Sequence, residues 1–298
     1  MAYCAGRSLL TVAGPCGIFT RFPFHSPLMT STSGRSQTNT SFPAWSNARR
    51  DIIYLYVTPV RFMTADSVLL GITWYVVFLL STTCHEAGHA LAARLGGDLT
   101  AFHGGQVSLN PIPHIRREPF GMVLFPIISY VAGGWMMGWA SAPYDPLWAQ
   151  RHPRRAAWMS LAGPGANLSL TILAALSIHA AIWMGVFAHP DSAAFTRIAV
   201  AMTPGAAEGA ATLLSILFSL NLLLGVFNLL PVPPLDGFAA IGVFLPEDAA
   251  RRFQQFGFKM RGFSIIGLLI AWRVFNPIFD PIFTFALGAL YPGYKYGP

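Results

Sequence analysis

The chain has 298 residues, of which 54% are apolar and 10% charged, with a formal net charge of +7. A soluble globular protein carries about 25% charged residues, so a chain this long and this poor in charge cannot cover a water-facing surface, and much of it must face a lipid bilayer. The basic residues lie in short clusters between apolar runs (Arg116-Arg117, Arg151 to Arg155, Arg251-Arg252), as in the cytoplasmic loops of membrane proteins, and no basic stripe or stacking motif argues for nucleic acid.

Residues 25–47 are rich in Ser, Thr, Asn and Pro and read as disordered. Residues 1–62 are therefore expected to be an N-terminal extension, with Met63 as an alternative start. The odd cysteine count (Cys4, Cys16, Cys84) and the lack of any CxxC pair exclude a complete disulfide framework.

Five apolar segments follow. The first covers residues 68–84, and its helical pattern runs on through His89 to Leu95, where Gly96-Gly97 stops it. The second, 119–140, is uncharged but broken by Pro126, Gly133, Gly134 and Gly138. The third is 156–188, with Asn167 inside it. The fourth is 209–235, with Asn221 and Asn228, ending in Pro231, Pro233 and Pro234. The fifth, 262–290, carries Arg273 and Asp280. A helix needs roughly 20 apolar residues to span the hydrocarbon, which four of the five supply. Between them, residues 99–110 lack a helical period and read as a short strand pair around Gly104-Gly105. Residues 246–260 are charged and amphipathic and read as a helix lying at the interface.

The first segment contains His85-Glu86-Ala87-Gly88-His89. On a helix, positions i and i+4 lie about 40° apart around the axis and roughly 6 Å apart along it, so two imidazoles face one point, as a tetrahedral metal requires. Glu86 follows the first ligand and can take a proton from a water activated by the metal. Ionisable residues on an apolar helix are costly and usually functional. A catalytic zinc site takes a third protein ligand, and the candidates at membrane depth are Asp236, Asp280 and His179.

Three motifs in order, His85 to His89, Ala162-Gly163-Pro164-Gly165-Ala166-Asn167, and Asn228 through Asp236-Gly237, give the chain a resemblance to the site-2 proteases, intramembrane zinc metalloproteases, in a compact form without a PDZ domain. The resemblance implies one Zn²⁺ held by His85, His89 and Asp236, with Glu86 as the base. It also implies Asn228 and Asn167 as contacts to substrate backbone or the developing oxyanion. On this reading residues 63–240 are the protease core and 241–298 an interfacial helix with a C-terminal transmembrane segment. The implied substrates are transmembrane proteins. The alternatives are a non-proteolytic scaffold, which would have lost Glu86 or a ligand, and a metal transporter, which would show paired broken helices in two related halves.

If His85, His89 and Asp236 meet at one depth, each toward the C-terminal end of its segment, their helices run parallel and an odd number of crossings separates them. The segment 156–188 supplies one, so 119–140 is expected to re-enter rather than cross. The expected fold is an all-α polytopic membrane protein with about four to five transmembrane helices, a membrane-embedded re-entrant loop and a short β-strand pair. The side bearing Arg94, Arg116, Arg117, Arg151, Arg154, Arg155, Arg251, Arg252, Lys259 and Arg261 is then cytoplasmic, with the active site toward the cytoplasm of a bacterial-type cell membrane.

Overall fold

The computed structural model describes residues 64–294; the expectations for residues 1–62 lie outside them. Four helices are long and apolar enough to cross a membrane: α1 (Ala65–Leu95), α6 (Pro153–Trp183), α7 (Ala206–Asn228) and α10 (Ser264–Leu290). Shorter helices complete the chain: α2 (Thr100–His103), α3 (Pro111–Arg117), α4 (Phe125–Gly133), α5 (Pro146–Arg151), α8 (Asp236–Ala240) and α9 (Glu247–Met260). The protein is an all-α polytopic membrane protein.

α1 shows how the pattern sorts faces. Leu69, Ile72, Val76 and Leu80 are exposed at helical spacing, while Trp74, Val77, Phe78, Ser81, His85 and His89 are buried on the opposite side. The first face suits lipid, and the second faces protein. α7 is buried over 61% of its most apolar stretch, so it is apolar nearly all round and central. Lipid is as apolar as leucine, so these helices associate through close packing and interhelical hydrogen bonds. Gly88 of α1 accordingly faces the Ala162 carbonyl and the Ala166 methyl of α6.

Contacts give the directions. Asn167 of α6 bonds to Ser81, and Met159 to His89, so α6 runs antiparallel to α1. Gly225 of α7 faces Pro164 and Leu168, with Asn221 beside Asn167, so α7 runs antiparallel to α6 and parallel to α1. α10 returns antiparallel to α7, with Gly267 against Pro233 and Phe275 against Phe227.

Residues 119–140 do not make another crossing. A π-helical turn (Phe120–Leu124) leads into α4, and together they form a 14-residue apolar helix, Phe120–Gly133. That is about 21 Å long, short of the roughly 30 Å hydrocarbon thickness. Gly134, at φ +75°, turns the chain back in the left-handed region that glycine favours. The returning limb is extended and rejoins the start: the Trp139 N–H donates to the Gly121 carbonyl. Ser141 accepts from Arg117 and donates to Glu118.

The expected strand pair at 99–110 is corrected. Asp98 Oδ1 accepts from both the N–H and the hydroxyl of Thr100, the first residue of α2, and Gly105, at φ +74°, lies just beyond the end of that helix. The glycine pair that reads as a hairpin turn is a helix stop instead. The strands lie elsewhere, where β1 (Phe187–Ala188) pairs antiparallel with β2 (Val200–Ala201) in the connection from α6 to α7.

Candidate active site

α1 carries His85, Glu86 and His89 on its buried face, all less than a tenth exposed. α7 ends at Asn228, and Pro231, Pro233 and Pro234 keep residues 229–235 out of helix by removing backbone donors. This irregular stretch turns the chain back so that Asp236, opening α8, meets the α1 histidines. Asp236 Oδ2 lies 3.1 Å from His85 Nε2 and 3.3 Å from His89 Nε2, and the two Nε2 atoms are 3.0 Å apart.

The far sides of both rings are also engaged. His89 Nδ1 lies 2.8 Å from the Met159 carbonyl, which only accepts, so Nδ1 carries the hydrogen. His85 Nδ1 lies 2.6 Å from Asn167 Oδ1. A neutral imidazole has one N–H, so both Nε2 atoms present lone pairs to each other and to a carboxylate. Three electron-rich atoms within 3.3 Å of one another call for a cation between them. The space for it exists because residue 163 is glycine. A methyl group there would stand 2.6 Å from His85 Nε2 and closer still to His89 Nε2. Two imidazole nitrogens and one carboxylate oxygen fit Zn²⁺, and three protein ligands leave a position open.

Among the described residues, His85, His89 and Asp236 are the one group of this kind placed to hold a metal. The other candidate ligands, His179 and Asp280, are not in it; His179 lies toward Tyr291 at the opposite end of the bundle. Cys84 is a free, half-buried thiol outside it.

His85, His89 and Asp236 open on a cavity of about 850 Å³ that Glu86 and Asn228 also line. Glu86 has no hydrogen-bond or ion-pair partner among the described residues. Asn228 Nδ2 donates to the Leu224 carbonyl, 3.0 Å away. The walls are apolar: Met136, Trp139 and Tyr144 from the returning limb, Phe253 from α9, and Leu268 and Trp272 from α10. Asn167 stands apart from the resemblance's expectation. Its side chain is wholly buried, does not line the cavity, and is spent on His85, Ser81 and Asn221. Sequence reading missed Gly163 and Asn221. The signal for Gly163 was a small residue within a motif on the helix facing the histidines; Asn221 was legible only as a polar group on an uncharged segment.

Fold and site together describe a multi-pass membrane protein in which three residues are placed to hold a metal ion beside a carboxylate, an arrangement that fits a metallopeptidase. The match to a family model agrees: residues 73–270 match Peptidase family M50, and the chain belongs to that family. It is a metalloendopeptidase. Among relatives, "Putative zinc metalloprotease YwhC" of Bacillus subtilis is 30% identical over 216 residues, covering 70% of this chain and 87% of the relative. "Putative zinc metalloprotease Rip2" of Mycolicibacterium smegmatis is 29% identical over 202 residues, covering 67% of this chain and 66% of the relative. Its Mycobacterium tuberculosis (strain H37Rv) namesake is likewise 29% identical over 202 residues, covering 65% and 63%. No solved structure matches the chain.

Proposed function

We propose that this protein is a zinc-dependent intramembrane endopeptidase that hydrolyses peptide bonds in or near transmembrane segments of membrane proteins. The observation that carries the proposal is the convergence of His85, His89 and Asp236 on an apolar-walled cavity shared with Glu86 and Asn228, between helices of membrane-spanning length. The names of the relatives support zinc as the metal. When bound, zinc lowers the pKa of water to about 7 and polarises a carbonyl oxygen.

The chain's own groups supply the rest. Glu86 takes a proton from the attacking water and passes it to the departing amine nitrogen as the C–N bond breaks. The Asn228 carboxamide donates to the oxyanion that develops on the scissile carbonyl. A transmembrane helix shields its own carbonyls, so the substrate must be locally extended at the cut. The extended limb after Gly134 borders the cavity, and main-chain pairing along it is how such a segment would be held.

The test measures zinc content and cleavage of a membrane-helix reporter by the purified protein. The expected result is that Glu86→Ala keeps about one zinc and loses cleavage by at least about a hundredfold. Asn228→Ala loses kcat by about 10²–10³-fold, also with zinc in place. Equal cleavage by wild type and Glu86→Ala, or none by either, overturns the proposal.

The site faces the cytoplasm on this reading. Residues 94–155 and 237–261 lie at the end of the bundle toward which α1 and α7 run, and they hold nearly all the basic loop residues, against Arg197 at the other end among the described residues. Single cysteines at Ile112 and Gln150 should react from the cytoplasmic side, and one at Thr203 from the other. Labelling of the Ile112 and Gln150 positions from opposite sides contradicts this topology.

A further inference from the structure

We infer that Ser81, Asn167 and Asn221 form a buried relay that decides which nitrogen of His85 faces the metal, and that they act as positioning residues for that ligand. The inference rests on the metal-centre reading above and assigns three further residues to it, one on each helix of the core. All three side chains are 0% exposed, so bulk solvent does not reach them and they bond to one another and to backbone carbonyls.

The relay can be read from its far end inward. The Ser81 hydroxyl donates its one hydrogen to the Val77 carbonyl, 2.7 Å away, so it can only accept from others. Asn221 Nδ2 meets the Ser81 hydroxyl at 2.9 Å and the Leu217 carbonyl at 2.8 Å. Both are acceptors, which uses both amide hydrogens and leaves Asn221 Oδ1 pointing at Asn167. Asn167 Nδ2 then donates to Asn221 Oδ1 at 2.8 Å and to the Ser81 carbonyl at 3.3 Å. With its amide hydrogens spent, Asn167 can offer His85 Nδ1 only an oxygen, at 2.6 Å. His85 Nδ1 must therefore carry the hydrogen, and Nε2 is left bare toward Asp236 and His89. A flip of either amide would set donor against donor or acceptor against acceptor at two or more places in a dry interior. Three backbone carbonyls (Val77, Leu217 and Ser81) thus dictate the polarity of a metal ligand through two carboxamides. His89 needs no relay, because its Nδ1 meets the Met159 carbonyl directly.

The test uses full-length protein in detergent and reads zinc affinity by chelator competition, together with the visible spectrum of the cobalt-substituted protein. Loss of an outer hydrogen-bond partner of a ligating histidine costs about 10- to 100-fold in metal affinity. Asn167→Leu is expected to lose zinc affinity in that range and to shift the cobalt bands. Asn167→Asp, which restores an acceptor to His85 Nδ1, should recover most of the loss. Asn221→Leu and Ser81→Ala should weaken zinc in the same direction by less, with apo-protein melting close to wild type. If Asn167→Leu does not fold, Ser81→Ala and Asn221→Leu carry the test through the same two readouts. Wild-type affinity and an unchanged cobalt spectrum in the folded variants would reduce the relay to helix packing and overturn the inference. A wild-type protein that binds no zinc would instead overturn the metal-centre reading itself.

Discussion

The core of α1, α6 and α7 and the outer wall of the returning limb, α9 and α10 enclose the same cavity by different means. In the core, small residues bring backbones together and every polar side chain of the Ser81–Asn167–Asn221 group is matched. In the wall, contacts are made between large aromatic rings: Trp135 of the returning limb stacks on Trp272 of α10 at 6.5 Å between centroids, and Phe238 of α8 lies 4.6 Å from Phe253 of α9. α10 is buried over only 17% of its most apolar stretch, against 61% for α7. Close-packed, hydrogen-bonded interiors feel a change of even one methylene, whereas large aromatic rings contribute mainly buried area. Under the proposed function, this difference suits the core to the chemistry and the wall to reception of the substrate.

The sharpest way to break that division is Gly163→Ala. The added methyl falls against the Nε2 atoms of His85 and His89, where the proposed zinc would sit, so zinc binding and reporter cleavage should both drop by about a hundredfold. Gly165→Ala, two positions along the same helix with open space around it, should leave both as in wild type. Retention of zinc by Gly163→Ala would show that the core yields as readily as the wall.

Trp272→Ala tests the wall. Removal of one aromatic contact is worth about 0.5–1.5 kcal/mol, so KM for the reporter should rise by about 2- to 10-fold while kcat and zinc content stay unchanged. A fall in kcat with KM unchanged would place Trp272 in the chemistry and erase the distinction.

The smallest effect concerns the C-terminal end of α1, where the core meets the loops that follow it. Burial pushes the Asp98 carboxyl up. The hydrogen bonds it accepts from the Thr100 hydroxyl and the Thr100 and Asp145 N–H groups outweigh that and hold it below its ordinary range. A carboxyl lowered on folding stabilises the folded state at pH values above its unfolded pKa of about 3.9, and the contribution is lost as pH falls through the folded value. Asp98→Asn should therefore lower Tm by a few degrees at pH 7, and the gap to wild type should narrow below about pH 4. A gap independent of pH would remove the carboxylate's charge from the account.

Much of this protein was legible in its residues. His85-Glu86-x-x-His89 is a local pattern, because helix geometry alone brings i and i+4 to one point. The four spans follow from length and composition, and the requirement that Asp236 meet the histidines at one depth is enough to turn residues 119–140 back on themselves. What sequence could not decide were matters of which atom meets which. Asn167 reads equally well as a substrate contact or an interhelical bond, and only the placement of Asn221 and Ser81 on neighbouring helices shows its amide hydrogens spent and its oxygen turned to His85. Gly104-Gly105 reads from sequence as the turn of a strand pair, and the structure instead has a short helix there, with Asp98 bonded to Thr100 and Asp145 ahead of it. Spacing along one chain determines what each helix can present. The bonding left over once buried donors and acceptors have found partners across helices is decided by tertiary structure alone, because an unpaired polar group in a dry interior is too costly to keep.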